Sequence, residues 1–213
     1  MNNLLRLIFF TLIIRPIILI VLGLNIRYQD RLYPDGPAII VANHNSHLDT
    51  MVLMTLLPFQ YLKRIRPIAA SDYFLRNKYL AWFALKIIGI IPIERSGSKT
   101  AADLLAPCSD ALKNGDILIF FPEGTRGEPE RLSAFKSGIA RLAERHPDIP
   151  VIPVFMYGLG KALPRGEWLL VPFFCDVVVG QALHWSGSRP EFMQNLDATM
   201  SLLASEITAA PWE

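Results

Sequence analysis

Between Val41 and Asp49 the chain reads VANHNSHLD, and two of its residues, His44 and Asp49, are of the types that make a general base and the acid that orients it. Five positions apart in one regular helix they would point about 140° away from each other. A working pair therefore needs His44 in a turn and Asp49 in the first turn of the helix that follows. Ser46-His47-Leu48-Asp49 has the S-x-x-D form of a capping box, which places a helix start between them. Taken alone, the stretch reads first as a capped helix with His44 a polar loop residue. In the catalytic reading Asp49 accepts a hydrogen bond from one imidazole nitrogen of His44 and leaves the other as base. His47, two residues from Asp49, is expected to point elsewhere.

A second polar group closes another apolar run. In FFPEGTR, Phe120 to Arg126, Gly124 lets the backbone approach an anion, Thr125 offers a hydroxyl, and Arg126 offers a bidentate fork for phosphate. Alone, this is as readily a Pro/Gly turn with surface charges. Ile93-Glu94-Arg95-Ser96 ends a third apolar run with another arginine. Three strand ends carrying His/Asp, Glu/Gly/Arg and Glu/Arg point to one shared edge of a sheet.

The elements that would hold these groups are legible. Ala38 to Ala42 reads as a short buried strand, and Asp116 to Phe121 as a strong one. Pro67 to Ala70, Ile90 to Ile93, Val151 to Phe155 and Phe174 to Val179 are further strand candidates. Helices are expected over His47 to Leu57, Tyr73 to Ile88, Lys99 to Lys113, Lys136 to Arg145 and Glu191 to Ile207. Alternation of this kind predicts an α/β fold, with a mixed, largely parallel sheet covered by helices. Polar residues at the ends of buried strands are where such sheets keep their chemistry.

The 213 residues bound one domain or one domain with an appendage. The chain is 52% hydrophobic and 19% charged, and this greasy composition points to a membrane. A net charge of +2 argues for no nucleic acid, although Lys63, Arg64 and Arg66, and again Arg76, Lys78 and Lys86, gather basic groups in the first half. Cys108 and Cys175 stand far apart without metal-ligand spacing and read as buried thiols. Leu4 to Leu24 is nearly all apolar, broken by Arg6 and Arg15-Pro16. Pro16 would kink a helix or start a second one, and Arg15 at mid-bilayer costs about 2.5–3.5 kcal/mol. A pair of short helices dipping into one leaflet is favoured over a kinked spanning anchor or a buried hairpin. Residues 1–33 are thus expected as a membrane-associated helical segment and 34–213 as the catalytic domain.

Together the motifs resemble the glycerolipid acyltransferases of the 1-acylglycerol-3-phosphate type. NHNSHLD resembles their N-H-x4-D block, GIIPIER (Gly89 to Arg95) the second, FPEGTR the third and VIPV (Val151 to Val154) the fourth. Phe135-Lys136-Ser137-Gly138 is similar to the F-K-x-G that follows the third block. The resemblance implies acyl transfer from acyl-CoA or acyl carrier protein to the hydroxyl of a lysophospholipid, most simply 1-acylglycerol-3-phosphate. It implies His44 and Asp49 as catalytic residues and Arg95, Glu123, Gly124, Thr125 and Arg126 at the acceptor's phosphate, with no metal or cofactor. It also implies attachment to the cytoplasmic face of the inner membrane. The chain departs from the family where many members carry a phosphate-binding lysine as A-K-x-E-L: here Ala69-Ala70-Ser71-Asp72-Tyr73 stands instead, with Arg76 or Lys78 as candidate substitutes. Other lysolipid acceptors (a lyso-ornithine lipid or glycolipid), a hydrolase, and a silent lipid-binding module are the alternatives.

Overall fold

The computed structural model describes residues 2–74, 76–94, 101–125, 132–163 and 169–208. Its centre is a seven-stranded sheet in the order β1-β7-β6-β2-β5-β3-β4. The strands are β1 (Leu22–Arg27), β2 (Ala38–Ala42), β3 (Ile65–Ala70), β4 (Ile91–Ile93), β5 (Ile117–Phe120), β6 (Val151–Tyr157) and β7 (Phe173–Val179). Strands β2 to β6 run parallel; β7 is antiparallel to β6, and β1 follows β7 in parallel. The α/β class and the mixed, largely parallel sheet are as expected from the sequence.

The period-two rule divides the core between the two faces of the sheet. Along β2, Ala38, Ile40 and Ala42 face one layer, and Ile39 and Val41 face the other. The first layer contains α1 (Asn2–Phe9), α2 (Arg15–Val21) and α3 (Leu48–Leu56), followed in the chain by the short α4 (Ser71–Phe74) and by α5 (Lys78–Phe83), which a π-helical turn, Ala84–Ile88, extends. The second is built on α6 (Ala101–Lys113), α7 (Gly138–Arg145) and α9 (Arg189–Thr208); the short α8 (Leu159–Ala162) follows β6. The stripe Leu196, Met200, Leu203 and Ile207 of α9 is buried against the sheet.

Two local expectations are corrected. The helical segment does not continue to residue 33: it ends at Val21, and Leu22–Arg27 joins the sheet as β1. This strand gives β7 a backbone partner along its open edge, which would otherwise present unpaired N–H and C=O groups, and the Asn25 amide donates to Asp176 Oδ1 at 2.7 Å. Nor is Tyr73 to Ile88 one helix. Asn77 is extended and its side chain accepts the Tyr79 N–H, so a cap starts α5 afresh.

The N-terminal helices are likewise closer to one rod than to a separated pair. A π turn, Phe10–Ile14, bridges α1 and α2, and Pro16 stands in the first turn of α2, where its missing N–H is tolerated. Asn3–Val21 is long and apolar enough to cross a membrane by length and composition, yet one face lies against the domain. Arg6 is 2% exposed, and its Nη2 donates to the carbonyls of Ile65 and Ile88, both at 2.8 Å. Burial, then the nearby Arg66, push its guanidinium down to about 10, against the pull of Asp116. Arg15 sits over the Phe59 ring, 4.6 Å from its centroid.

Candidate active site

The first and third motifs leave neighbouring strands. Val41 of β2 pairs with Phe120 of β5, so the turns beyond them emerge side by side at the carboxyl ends of the parallel strands. On its other side β2 pairs with β6, and Asn43 prolongs that ladder with its side chain. Its amide donates to Met156 O and accepts the Met156 N–H, both at 2.8 Å. The turn is thereby pinned to β6 just before His44.

At His44 the chain turns, and α3 begins four residues later. His44 Nδ1 lies 2.9 Å from Asp49 Oδ2. The same oxygen accepts the N–H groups of Asn45 at 2.6 Å and Ser46 at 2.9 Å. Asp49 is 0% exposed, so a carboxylate there stands only because several donors converge on it. An oxygen that already accepts two backbone N–H groups takes its third bond from Nδ1–H, which leaves His44 Nε2 as the nitrogen free to accept a proton. The capping box expected from the sequence is half realised: Asp49 closes back on Ser46 N–H. Ser46 Oγ, however, accepts from Leu48 N at 3.3 Å and donates to Leu163 O at 3.0 Å. One carboxylate thus starts the helix and holds the imidazole.

Phe121 supports the other side of the ring. It stacks on His44 with centroids 4.1 Å apart and planes inclined by 20°. The sequence reading missed this contact; an aromatic residue directly after the β5 strand was its only trace. His47 stacks on Tyr73 and lines the same cavity as His44.

Glu123 is buried, and its Oε1 accepts the backbone N–H of His44 at 2.9 Å. Burial pushes its carboxyl above the ordinary range, and the His44 N–H bond pulls against that shift. Through this bond Glu123 ties the third motif to the first. Gly124 and Thr125 do line the cavity beside His44. Gly124 has φ +73°, a conformation that disfavours any side chain, and a Cβ there would come within 2.6 Å of Lys136 Nζ, which would have to move aside. Arg95 and Arg126 lie outside the described residues.

These groups open on a cavity of about 710 Å³, within the range of small-ligand sites. Its lining divides by element. The strand-end loops and the start of α7 supply His44, Thr125, Lys136, Ser137 and Arg141; β3, the α5 region and α6 supply apolar groups such as Ile68, Phe83, Ile88 and Leu105. Lys136 and Arg141 are its lysine and arginine contribution among the described residues, and the sequence reading left both unassigned. Lys136 was visible there only as part of F-K-x-G. Arg76 and Lys78, the candidates to replace the missing lysine, do not line the cavity; Arg76 Nε donates to Asp72 O, and Lys78 lies over the Tyr79 ring.

Comparison with known proteins follows the same lines. The family model described as Acyltransferase matches residues 23–157. A 1-acyl-sn-glycerol-3-phosphate acyltransferase of Pseudomonas aeruginosa is 31% identical over 189 residues, covering 87% of this chain and 70% of that protein. A chloroplastic enzyme of that name from Arabidopsis thaliana is 32% identical over 162 residues, covering 76% of this chain and 43% of that protein. The chain spans less than half the length of the plant and algal relatives it matches (36–43%). The crystal structure of a 1-acyl-sn-glycerophosphate acyltransferase from Thermotoga maritima superposes with a TM-score of 0.70 at 22% identity, over 88% of this chain and 73% of that one. It shares the fold.

Proposed function

Because this chain belongs to the acyltransferase family, we propose that it moves a fatty acyl group from acyl-CoA or acyl carrier protein to the free hydroxyl of a lysophospholipid, with 1-acylglycerol-3-phosphate as the acceptor. The observation that carries the reading is the His44–Asp49 hydrogen bond beside a cavity lined by Lys136 and Arg141 and by apolar groups of β3, the α5 region and α6.

The chemistry needs no covalent enzyme intermediate. His44 Nε2 takes the proton of the acceptor hydroxyl as its oxygen attacks the thioester carbonyl. Asp49 holds the ring and offsets the imidazolium charge that develops. The tetrahedral intermediate collapses to the new ester, and the leaving thiolate takes the proton back from Nε2. The base is regenerated, and the free thiol of the donor departs. The apolar lining from β3, α5 and α6 accommodates an acyl chain.

The acceptor's phosphate is assigned to the loop after β5 and the start of α7. Gly124, Thr125 and Lys136 line this end with Ser137 and Gly138, and the first N–H groups of a helix favour an anion. Arg95 and Arg126 complete the set by family resemblance. Lys136 then stands in for the lysine missing after the first motif. Replacing Lys136 by glutamine is expected to raise the acceptor KM about tenfold while changing kcat little, since the lost interaction is made equally in ground and transition states. An unchanged KM in steady-state assays would remove Lys136 from the phosphate site. Transfer itself is tested by offering the purified protein one labelled acyl donor with a panel of lysolipids and identifying products by mass spectrometry. Preference for lysophosphatidate is the expected result; transfer only to a phosphate-free acceptor would overturn the assignment, and release of free acid alone would indicate a hydrolase.

A monotopic attachment to the cytoplasmic face is part of the proposal. The outer side of α1, the π turn and α2 presents Leu4, Leu12, Leu19 and Ile20, the last 82% exposed. An apolar face of this kind marks an interaction surface, and burial of Arg6 in the domain lays the rod along the body. A helix lying in the interface suits this arrangement.

A further inference from the structure

The α5 region has an outer face that the membrane contact described so far does not use. Tyr79 is 74% exposed and Trp82 50%, and Leu85 in the π turn that follows is exposed with them. Spaced three residues apart, they lie along one side of the helical segment. Phe83 and the buried Ala84 and Ile88 of the same segment line the active-site cavity. One short element thus supplies an apolar wall of the site and carries unburied aromatic rings.

Its charge and its position point to a particular partner. From Tyr73 to Ile93 the chain contains Arg76, Lys78 and Lys86 and no acidic residue. Lys78 and Lys86 are exposed and bracket the aromatic stripe. Tyrosine and tryptophan flanked by lysines are the composition of a membrane–water interface, where rings sit at the headgroups and ammonium groups reach outward. The element also touches the N-terminal rod: Phe9 and Phe83 meet edge to face with centroids 5.2 Å apart, and Arg6 donates to Ile88 O. The α5 region thus packs beside α1, which itself exposes Leu4, Leu5, Leu7 and Ile8.

We propose that α5 is a second membrane-docking element, seated in the headgroup layer of the same anionic leaflet as the N-terminal rod, so that the acyl-chain cavity opens toward that leaflet through the α5 wall. The proposal rests on the membrane reading above and adds to it the face and the route. A lipid chain then enters past α5 without crossing water, which ties substrate access to docking.

Trp82 is a native reporter. The full chain and Trp82→Phe are mixed with vesicles of equal phosphatidylglycerol and phosphatidylethanolamine whose acyl chains carry bromine at carbons 6 and 7. The part of the emission that depends on Trp82 is expected to fall by more than about half, since interfacial helices reach about 5–10 Å into the headgroup boundary. Lys78→Gln with Lys86→Gln is expected to weaken vesicle binding about tenfold or more. Tyr79→Glu with Trp82→Glu should depress transfer to vesicle-embedded lysolipid while sparing a water-soluble short-chain acceptor. Protein that sediments with vesicles while its Trp82 emission is unquenched would overturn docking by α5 and leave the N-terminal contact standing. Protein that does not sediment with them would overturn both.

Discussion

Replacing His44 by alanine is expected to abolish acyl transfer, with kcat lower by at least about 100- to 10,000-fold, the range over which a positioned general base acts. His44 holds Nδ1 on a buried carboxylate and lines the cavity. The fold should survive. The imidazole is partly exposed, its main neighbour is the Phe121 ring, and the backbone N–H that binds Glu123 remains. A stability loss of about 1 kcal/mol is the expected scale for one aromatic stacking contact. Chemical denaturation and vesicle sedimentation should thus be nearly unchanged in the variant whose transfer is lost. Full activity in His44→Ala would refute the base assignment.

Asp49→Ala is expected to damage activity and stability together, and the comparison with Asp49→Asn separates the two. Alanine leaves His44 Nδ1–H and the backbone N–H groups of Asn45 and Ser46 without their acceptor. At about 1–3 kcal/mol for each buried donor left unsatisfied, the midpoint of denaturation should shift clearly downward. Asparagine retains an oxygen for the backbone donors, so much of that stability should return. Activity should not, because a neutral amide neither offsets an imidazolium nor secures the tautomer; in a His–Asp pair of known mechanism the same exchange lowers kcat about 10⁴-fold. Transfer by Asp49→Asn at near the wild-type rate would reduce Asp49 to a helix cap.

The two readings that competed over the first motif are reconciled by the atom involved. As a capping box or as an orienting acid, Asp49 was a choice between structure and chemistry; in the fold Asp49 Oδ2 makes the contacts of both readings, with Ser46 N–H and His44 Nδ1 at once. Glu123 shows the opposite case. Its position between Pro122 and Gly124 in a phosphate-like loop gave no sign that the side chain turns inward to the His44 backbone, because that contact joins residues 79 positions apart. The same holds for Arg6, which reads as a flaw in an apolar helix and proves to bind carbonyls 59 and 82 residues away.

What the sequence by itself determined is everything that depends on local order. The strand candidates, the turns that close them, the helix start just after Ser46 and the pairing of types in His44 and Asp49 are consequences of neighbours along the chain. The family motifs compress that information. What only the tertiary structure decided is which strand ends stand together and where long side chains turn. Strand β2 lies between β5 and β6, and that placement brings His44 against Phe121 and Glu123, recruits Lys136 to the cavity and leaves Arg76 and Lys78 outside it. It also turned six residues of an apparent membrane helix into β1, because an open sheet edge needs a partner more than an apolar helix needs another turn. Local pattern specifies elements; the satisfaction of distant backbone groups and the packing of faces select their neighbours.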